Sequence, residues 1–85
     1  MPIISMFFGI IIRMYYDDHN PPHFHAEYQG HKGMFLTNGE KLNGNIPAKQ
    51  QKFISAWAEI HQDELLANWE ISKTERELFR IEPLR

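Results

Sequence analysis

The chain contains no cysteine among its 85 residues. Disulfide bonds, thiolate metal sites and a cysteine nucleophile are therefore excluded, and the absence fits a reducing compartment. The sequence also lacks an excess of positive charge, because its nine Lys and Arg residues are scattered and its formal net charge is -2. Non-specific nucleic-acid binding needs concentrated basic residues, so a general nucleic-acid binder is disfavoured, although one local basic patch is not excluded.

Long hydrophobic runs are missing as well. The apolar N-terminal segment 1–16 is interrupted by Gly9 and Arg13, and it is shorter than the roughly 20 residues that a membrane-spanning helix needs. It has neither the basic leader nor the small-residue cleavage site of a signal peptide. We therefore expect a cytoplasmic protein that has no contact with a membrane. A hydrophobic content of 42% in a chain of this length predicts one globular domain over residues 1–85.

The first half of the chain has the pattern of β-strands. Its segments are rich in Ile, Phe and Tyr, which suit a pleated sheet, and Gly9 predicts a sharp bend between the first two. Asn38 and Gly39 indicate a two-residue hairpin turn in which both residues have a positive φ. The predicted strands are 3–8, 10–16, 23–29, 32–37 and 40–43.

The second half changes to a helical period. Pro47 suits the first turn of a helix, and apolar residues then recur at spacings of three and four. The helix is predicted over 47–70, and 78–81 is predicted as a last short strand. These patterns predict an α+β fold, with an antiparallel meander of about four to six strands and one long C-terminal-half helix packed on one face. The apolar stripe of the helix comprises Phe53, Ile54, Trp57, Ala58, Ile60, Leu65 and Trp69.

The segment with the most side chains suited to catalysis or metal binding is 19–25, His-Asn-Pro-Pro-His-Phe-His. Residues two apart on a strand share a face, so His23, His25 and Glu27 should line one face while the residues between them enter the core. His19 and Asp18 precede them in a connector that two prolines stiffen. Three interpretations of this segment remain open.

The first interpretation is a metal site. A His-x-His pair with a further nitrogen or oxygen ligand suits a divalent transition metal such as zinc, nickel, copper or iron. The candidate ligands are His19, His23, His25 and Glu27, with His61 as a secondary candidate.

The second interpretation is metal-free acid–base catalysis, because histidine exchanges protons near neutral pH. With Arg13 to stabilise an anion, His19, His23 and His25 would suit cleavage of an RNA phosphodiester. The third interpretation is structural: the histidines hydrogen-bond within the proline-rich turn and fix its shape.

Three further features bear on function. Arg13 lies in an apolar strand and needs water or an acidic partner. The candidate partners are Asp17, Asp18 and Glu27. His61 lies in the apolar stripe of the helix and is expected to be a buried, hydrogen-bonded histidine, while the two tryptophans are expected to pack in the core.

The sheet face opposite the helix is predicted to be unusually apolar, which is typical of a contact with a partner or a second copy. That face should carry Ile11, Tyr15, His23 and His25.

Nearly the whole chain resembles a small bacterial family known as "domain of unknown function 4160". The His-x-Pro-Pro-His-Phe-His element is the most specific part of the resemblance. The similar segments are 1–5, 7–9, 18–28, 57–65 and 79–85.

The resemblance implies no established activity. Members of the family are similar in size to this chain and commonly occur beside a second small family, as in a toxin–antitoxin pair. It therefore implies a small protein partner and a bacterial cytoplasm. The leading hypothesis is a toxin–antitoxin-like component that binds a partner and cleaves RNA if it is the active member. The alternatives are a histidine-rich metal-binding protein and a non-catalytic scaffold or antitoxin.

Overall fold

The computed structural model describes residues 2–85. Five strands form one antiparallel sheet in which every strand pairs with its neighbours in the chain, in the order β1-β2-β3-β4-β5. Two helices follow the sheet. The predicted α+β meander is therefore confirmed. The elements are β1 (Ile3–Phe7), β2 (Ile10–Arg13), β3 (His23–Tyr28), β4 (His31–Leu36), β5 (Lys41–Gly44), α1 (Ala48–Ile60) and α2 (Gln62–Ser72).

The register of the sheet separates an apolar face from a mixed one. Ile12 pairs with Ala26, and Phe24 with Phe35, and all four are almost completely buried. The opposite face carries Arg13 beside His25 and Ile11 beside Glu27. Those four side chains are only partly buried, because the helices cover the other face of the sheet.

The core is built around Trp57 of α1. Its ring meets Phe24 edge-on at 5.7 Å and Phe7 at 5.4 Å, and its Nε1–H donates to the carbonyl of Glu82 at 2.8 Å. A buried indole needs such a partner. The expected core position of Trp57 agrees with this packing.

The predicted single helix is divided at His61. Its φ of -108° and ψ of 25° depart from helical values, yet the His61 N–H still bonds to the Trp57 carbonyl and the Leu65 N–H to the His61 carbonyl. The helical hydrogen-bond ladder therefore runs across the distortion. Pro47 lies one residue before α1, and α2 ends at Ser72 rather than at residue 70. Within residues 2–85, no helix is long and apolar enough to cross a membrane.

The strand predictions were wrong in two places. β2 ends at Arg13 instead of residue 16, and the chain turns at Asp17, which has a φ of 52°. Residues 78–81 do not form a strand. The Ile81 N–H donates to the Ile4 carbonyl at 2.7 Å, and the Ser5 hydroxyl donates to the carbonyl of Ile81. This segment therefore flanks the β1 edge without extending the sheet.

The turn at Asn38 and Gly39 also differs from its prediction. Gly39 has a φ of 95°, but Asn38 is not among the positive-φ residues. The Gly39 N–H and the Glu40 carbonyl both bond to Leu36, so the loop spans three residues. Such loops usually consist of a type I turn followed by a left-handed residue.

Gly39 should be more sensitive to substitution than Gly30. Both have a positive φ, but a Cβ on Gly39 would lie 2.6 Å from the carbonyl oxygen of Ser55, whereas Gly30 has open space. Gly30→Ala should lower the free energy of unfolding by about 1–2 kcal/mol through backbone strain. Gly39→Ala should lower the free energy of unfolding by about 1–3 kcal/mol more than Gly30→Ala, because α1 must move away from the added methyl group. Urea denaturation of both variants measures the difference, and equal losses would contradict the close approach of α1 to this turn.

Candidate functional site

The connector between β2 and β3 brings an aspartate to the start of β3. Asp17 donates its N–H to the Ser72 carbonyl at 3.0 Å, and the Lys73 ammonium donates to the carbonyl of Asp18. These contacts attach the connector to the end of α2. The Asn20–Pro21 peptide bond is cis, and the chain then enters β3 at His23.

Asp18, His23 and His25 converge at one point. Oδ2 of Asp18 lies 2.9 Å from Nε2 of His23 and 3.4 Å from Nε2 of His25. One nitrogen or oxygen atom from each side chain lies within 4.8 Å of the others. Among residues 2–85 this is the one group of at least three His and acidic side chains with the spacing of metal ligands. We call these three residues the Asp–His–His cluster.

His23 is held in a defined orientation. Its Nδ1 lies 2.7 Å from the carbonyl oxygen of Pro21, and a carbonyl can only accept a hydrogen bond. Nδ1 therefore carries a proton, and Nε2 is directed at Asp18. A backbone carbonyl on the far nitrogen of a histidine is the usual support of a metal-bound imidazole.

Aromatic rings enclose the two imidazoles. Trp69 of α2 lies 5.2 Å from the ring of His23, and Tyr15 meets the ring of His25 edge-on at 4.3 Å. The Lys73 ammonium lies over Trp69, 4.2 Å from its centroid. His23 is thus 2% exposed, whereas the side chain of His25 is 24% exposed. The prediction that His23 lies on an open face was wrong, because Trp69 covers it; Ile11, Tyr15 and His25 on that face are only partly buried.

The electrostatics of the cluster favour an ionised carboxylate beside a neutral imidazole. Burial raises the pKa of Asp18, but hydrogen bonds from the His19 N–H and from His25, with the charge and hydrogen bond of His23, hold that pKa below its ordinary value of 3.8. Burial lowers the pKa of His25 below 6.5 and the charge of His23 adds to this, outweighing the hydrogen bond to Asp18 and the charges of Asp18 and Glu27. Metal ligands need these protonation states.

The other candidate residues lie outside the cluster. The side chain of His19 is 95% exposed, and its Nδ1 is 3.7 Å from Oδ1 of Asp18. Glu27 accepts a hydrogen bond from Nε of Arg13 at 3.0 Å, which agrees with one of the partners expected for Arg13. The imidazole of His19 therefore points into solvent. Arg13 lies beside His25 across the sheet, with its guanidinium paired to Glu27.

His61 forms a separate contact. Its Nδ1 lies 2.6 Å from Oε1 of Glu64, and its ring packs 5.7 Å from Trp57. The side chain is 15% exposed, close to the buried and hydrogen-bonded histidine that the sequence predicted. It does not belong to the Asp–His–His cluster.

Asp18 is the member of the cluster that the predicted ligand set omitted. Its carboxylate precedes His23 by five residues in a connector with two prolines. The sequence signal was an acidic residue immediately before the His-rich segment. Alternation along β3 directed attention to Glu27 instead.

Comparison with known proteins identifies one family. A family model described as "Domain of unknown function (DUF4160)" matches residues 9–70, so the resemblance found in the sequence is confirmed. Neither the curated proteins nor the solved structures contain a match.

Asp18→Asn should destabilise the metal-free protein at neutral pH by about 1–3 kcal/mol, since it removes the charged partner of a buried imidazole. The lowered pKa of Asp18 means that the carboxylate stabilises the fold above its ordinary value of 3.8 and ceases to do so as the pH falls through the folded value. The gap between wild type and variant should therefore narrow as the pH falls below 3.8. Denaturant unfolding in EDTA at several pH values measures this gap.

The matched control is Asp17→Asn, which changes the exposed neighbouring carboxylate. It should leave stability almost unchanged at every pH. A gap for Asp18→Asn that stays constant with pH would contradict an ionised Asp18 in the cluster.

Proposed function

The chain belongs to this family of unknown function, and we propose that its Asp–His–His cluster binds a divalent transition metal. Two neutral imidazoles and one carboxylate then serve as the protein ligands, through Nε2 of His23, Nε2 of His25 and Oδ2 of Asp18. This ligand set is known from non-haem iron centres and, with glutamate as the carboxylate, from catalytic zinc sites.

The observation that carries the proposal is the pair of contacts made by His23. Nδ1 must donate to the Pro21 carbonyl, so Nε2 either carries a second proton or offers a lone pair. Oδ2 of Asp18 lies 2.9 Å from this Nε2. An ionised carboxylate oxygen and a nitrogen lone pair repel each other, so a proton or a metal ion must lie between them. Oδ2 is shared with His25, which favours an ion that both nitrogens can bind.

The spacing of the donor atoms agrees with this. Bonds of about 2.1 Å place neighbouring ligand atoms about 3.0 Å apart in an octahedral site and about 3.4 Å apart in a tetrahedral one. The separations from Oδ2 of Asp18 to Nε2 of His23 and of His25 are 2.9 and 3.4 Å.

The setting of the cluster suits a chemically open centre. Three protein ligands leave at least one coordination position for water or a substrate. His25 is on the more exposed side of the cluster, whereas Trp69 closes the side of His23. The metal would supply a bound water of lowered pKa for hydrolysis, or a redox centre if it is iron or copper.

Partner binding remains a second proposal, supported by the uncovered face of the sheet. Met6 is 51% exposed there, and Ile11 and Met34 are only partly buried. Exposed apolar area of this kind favours a protein contact, such as the second member of a toxin–antitoxin-like pair. RNA cleavage has less support, because the side chain of His19 is 95% exposed and the guanidinium of Arg13 is already paired with Glu27.

Untagged protein should retain a transition metal after purification, at close to one ion per chain by elemental mass spectrometry. After chelation, adding back zinc, iron(II) or nickel should raise the Tm, because a ligand specific to the native state stabilises it. His25→Ala should lower the affinity at least as much as loss of an outer-shell partner, which costs about 10–100-fold. His25 is preferred over His23 for this test because it is not fully buried.

His19→Ala is the matched control, since it removes a neighbouring but exposed imidazole. Its metal affinity should equal that of the wild type, and circular dichroism should show that both variants are folded. Metal-free protein whose Tm does not respond to any of the three ions would contradict the proposal. Equal losses in the His19 and His25 variants would contradict the assigned ligands.

A further inference from the structure

The side of α1 that faces away from the sheet, together with the first turn of α2, carries an ordered set of exposed and partly buried residues. Positions 49, 52, 56, 59 and 63 follow spacings of three and four, and 53 and 60 lie beside them, so all seven fall on one helical stripe. The stripe lies opposite the buried Ile54 and Ala58. We call it the outer stripe; it comprises Lys49, Lys52, Phe53, Ala56, Glu59, Ile60 and Asp63.

The middle of the outer stripe is apolar. Ile60 is 67% exposed, the most exposed of the large hydrophobic residues in the described part of the chain. Phe53 packs at 5.1 Å against Phe8, which is itself 54% exposed and has a φ of 50°. A non-glycine residue in this conformation is strained. The small Ala56 lies exposed between Phe53 and Ile60.

The charges that the outer stripe carries within α1 are ordered against the dipole of that helix. Lys49 and Lys52 lie near the N-terminus of α1, and Glu59 lies near its C-terminus. The first turn contains no acidic residue and the last turn no basic one. Positive charge near a helix N-terminus and negative charge near its C-terminus are both unfavourable. Lys49 and Lys52 are also like-charged neighbours on α1, and Glu59 lies four residues before the like-charged Asp63 in the first turn of α2.

We propose that the outer stripe is a dimer interface at which α1 packs antiparallel against α1 of a second copy of this chain. With Ala56 of both copies at the crossing point, position n lies opposite position 112 - n or its immediate neighbour. Lys52 then meets the partner's Glu59, and Lys49 meets the partner's Asp63. Phe53 meets the partner's Ile60 on the other flank.

Each of these contacts occurs twice, because an antiparallel helix pair has a twofold axis. The two helix dipoles are opposed, so each pair of lysines lies over the negative end of the other helix. Ala56 allows the backbones to approach closely. The same stripe is thus complementary to itself in charge, in apolar contacts and in shape, which singles out a second copy as the occupant.

The interface rests on little more than one helix per copy. Contacts of this size are below those of stable, permanent dimers, and their charge pairs weaken in salt. The dimer should therefore be reversible and favoured at low ionic strength. The proposal concerns a surface separate from the Asp–His–His cluster and does not depend on a bound metal.

Sedimentation equilibrium of the untagged full chain at low salt tests the interface by charge exchange. The wild type should approach twice its monomer mass of 10.1 kDa. Lys49→Glu/Lys52→Glu and Glu59→Lys/Asp63→Lys should each weaken the dimer by about tenfold or more, since like charges then face one another. An equimolar mixture of the two variants should dimerise again, because every charged pair in the mixed dimer is restored to opposite signs.

Two single variants separate this surface from the rest of the molecule. Ile60→Glu should abolish the dimer, while Leu42→Glu, which changes an exposed leucine of β5, should leave it intact. Circular dichroism establishes that each variant is folded. A wild type that stays monomeric at every concentration would overturn the proposal. So would a mixture that fails to restore dimerisation, or a dimer that Leu42→Glu dissolves and Ile60→Glu does not.

Discussion

The arrangement of the site depends on the carboxylate of Asp18 and its contact with two imidazoles. This carboxylate is joined to His23 and His25 through one oxygen, while the Pro21 carbonyl fixes the orientation of the His23 ring. Because Nδ1 of His23 faces the carbonyl oxygen of Pro21, its Nε2 faces a second acceptor, the carboxylate oxygen of Asp18. A proton or a metal ion must therefore lie between Nε2 of His23 and Oδ2 of Asp18, and the second contact of the same oxygen with His25 favours the metal ion.

The fold supplies the rigidity that such a cluster needs. β3 presents His23 and His25 on one strand, and the end of α2 holds the connector through the Ser72 carbonyl and Lys73. Trp69 joins the two regions, since it packs on His23 and lies beneath the ammonium of Lys73. A site held by its surroundings in this way is organised before a ligand arrives.

Sequence patterns predicted the α+β class and most strands because apolar alternation and helical spacing are local properties. They also drew attention to His23 and His25, which share a strand. They could not supply the path of the connector, which is set by contacts with α2 some 55 positions away in the chain, so Asp18 was missed as a ligand. Alternation along β3 placed Glu27 on the same face as His25. The pairing of Glu27 with Arg13 depends on strand register, and register is not encoded in one segment alone. The division of the helix at His61 likewise depends on tertiary packing, because no proline or glycine lies there.

The metal proposal makes a claim about three particular atoms, and anomalous X-ray diffraction tests that claim most directly. Crystals of untagged protein grown with one equivalent of metal would be measured at the absorption edge of that metal. The account predicts an anomalous peak about 2.0–2.2 Å from Oδ2 of Asp18 and from Nε2 of both His23 and His25. A peak found only at an exposed histidine such as His19 would contradict the account. So would the absence of any peak in crystals grown with the metal, if Asp18 and His23 still made their contact.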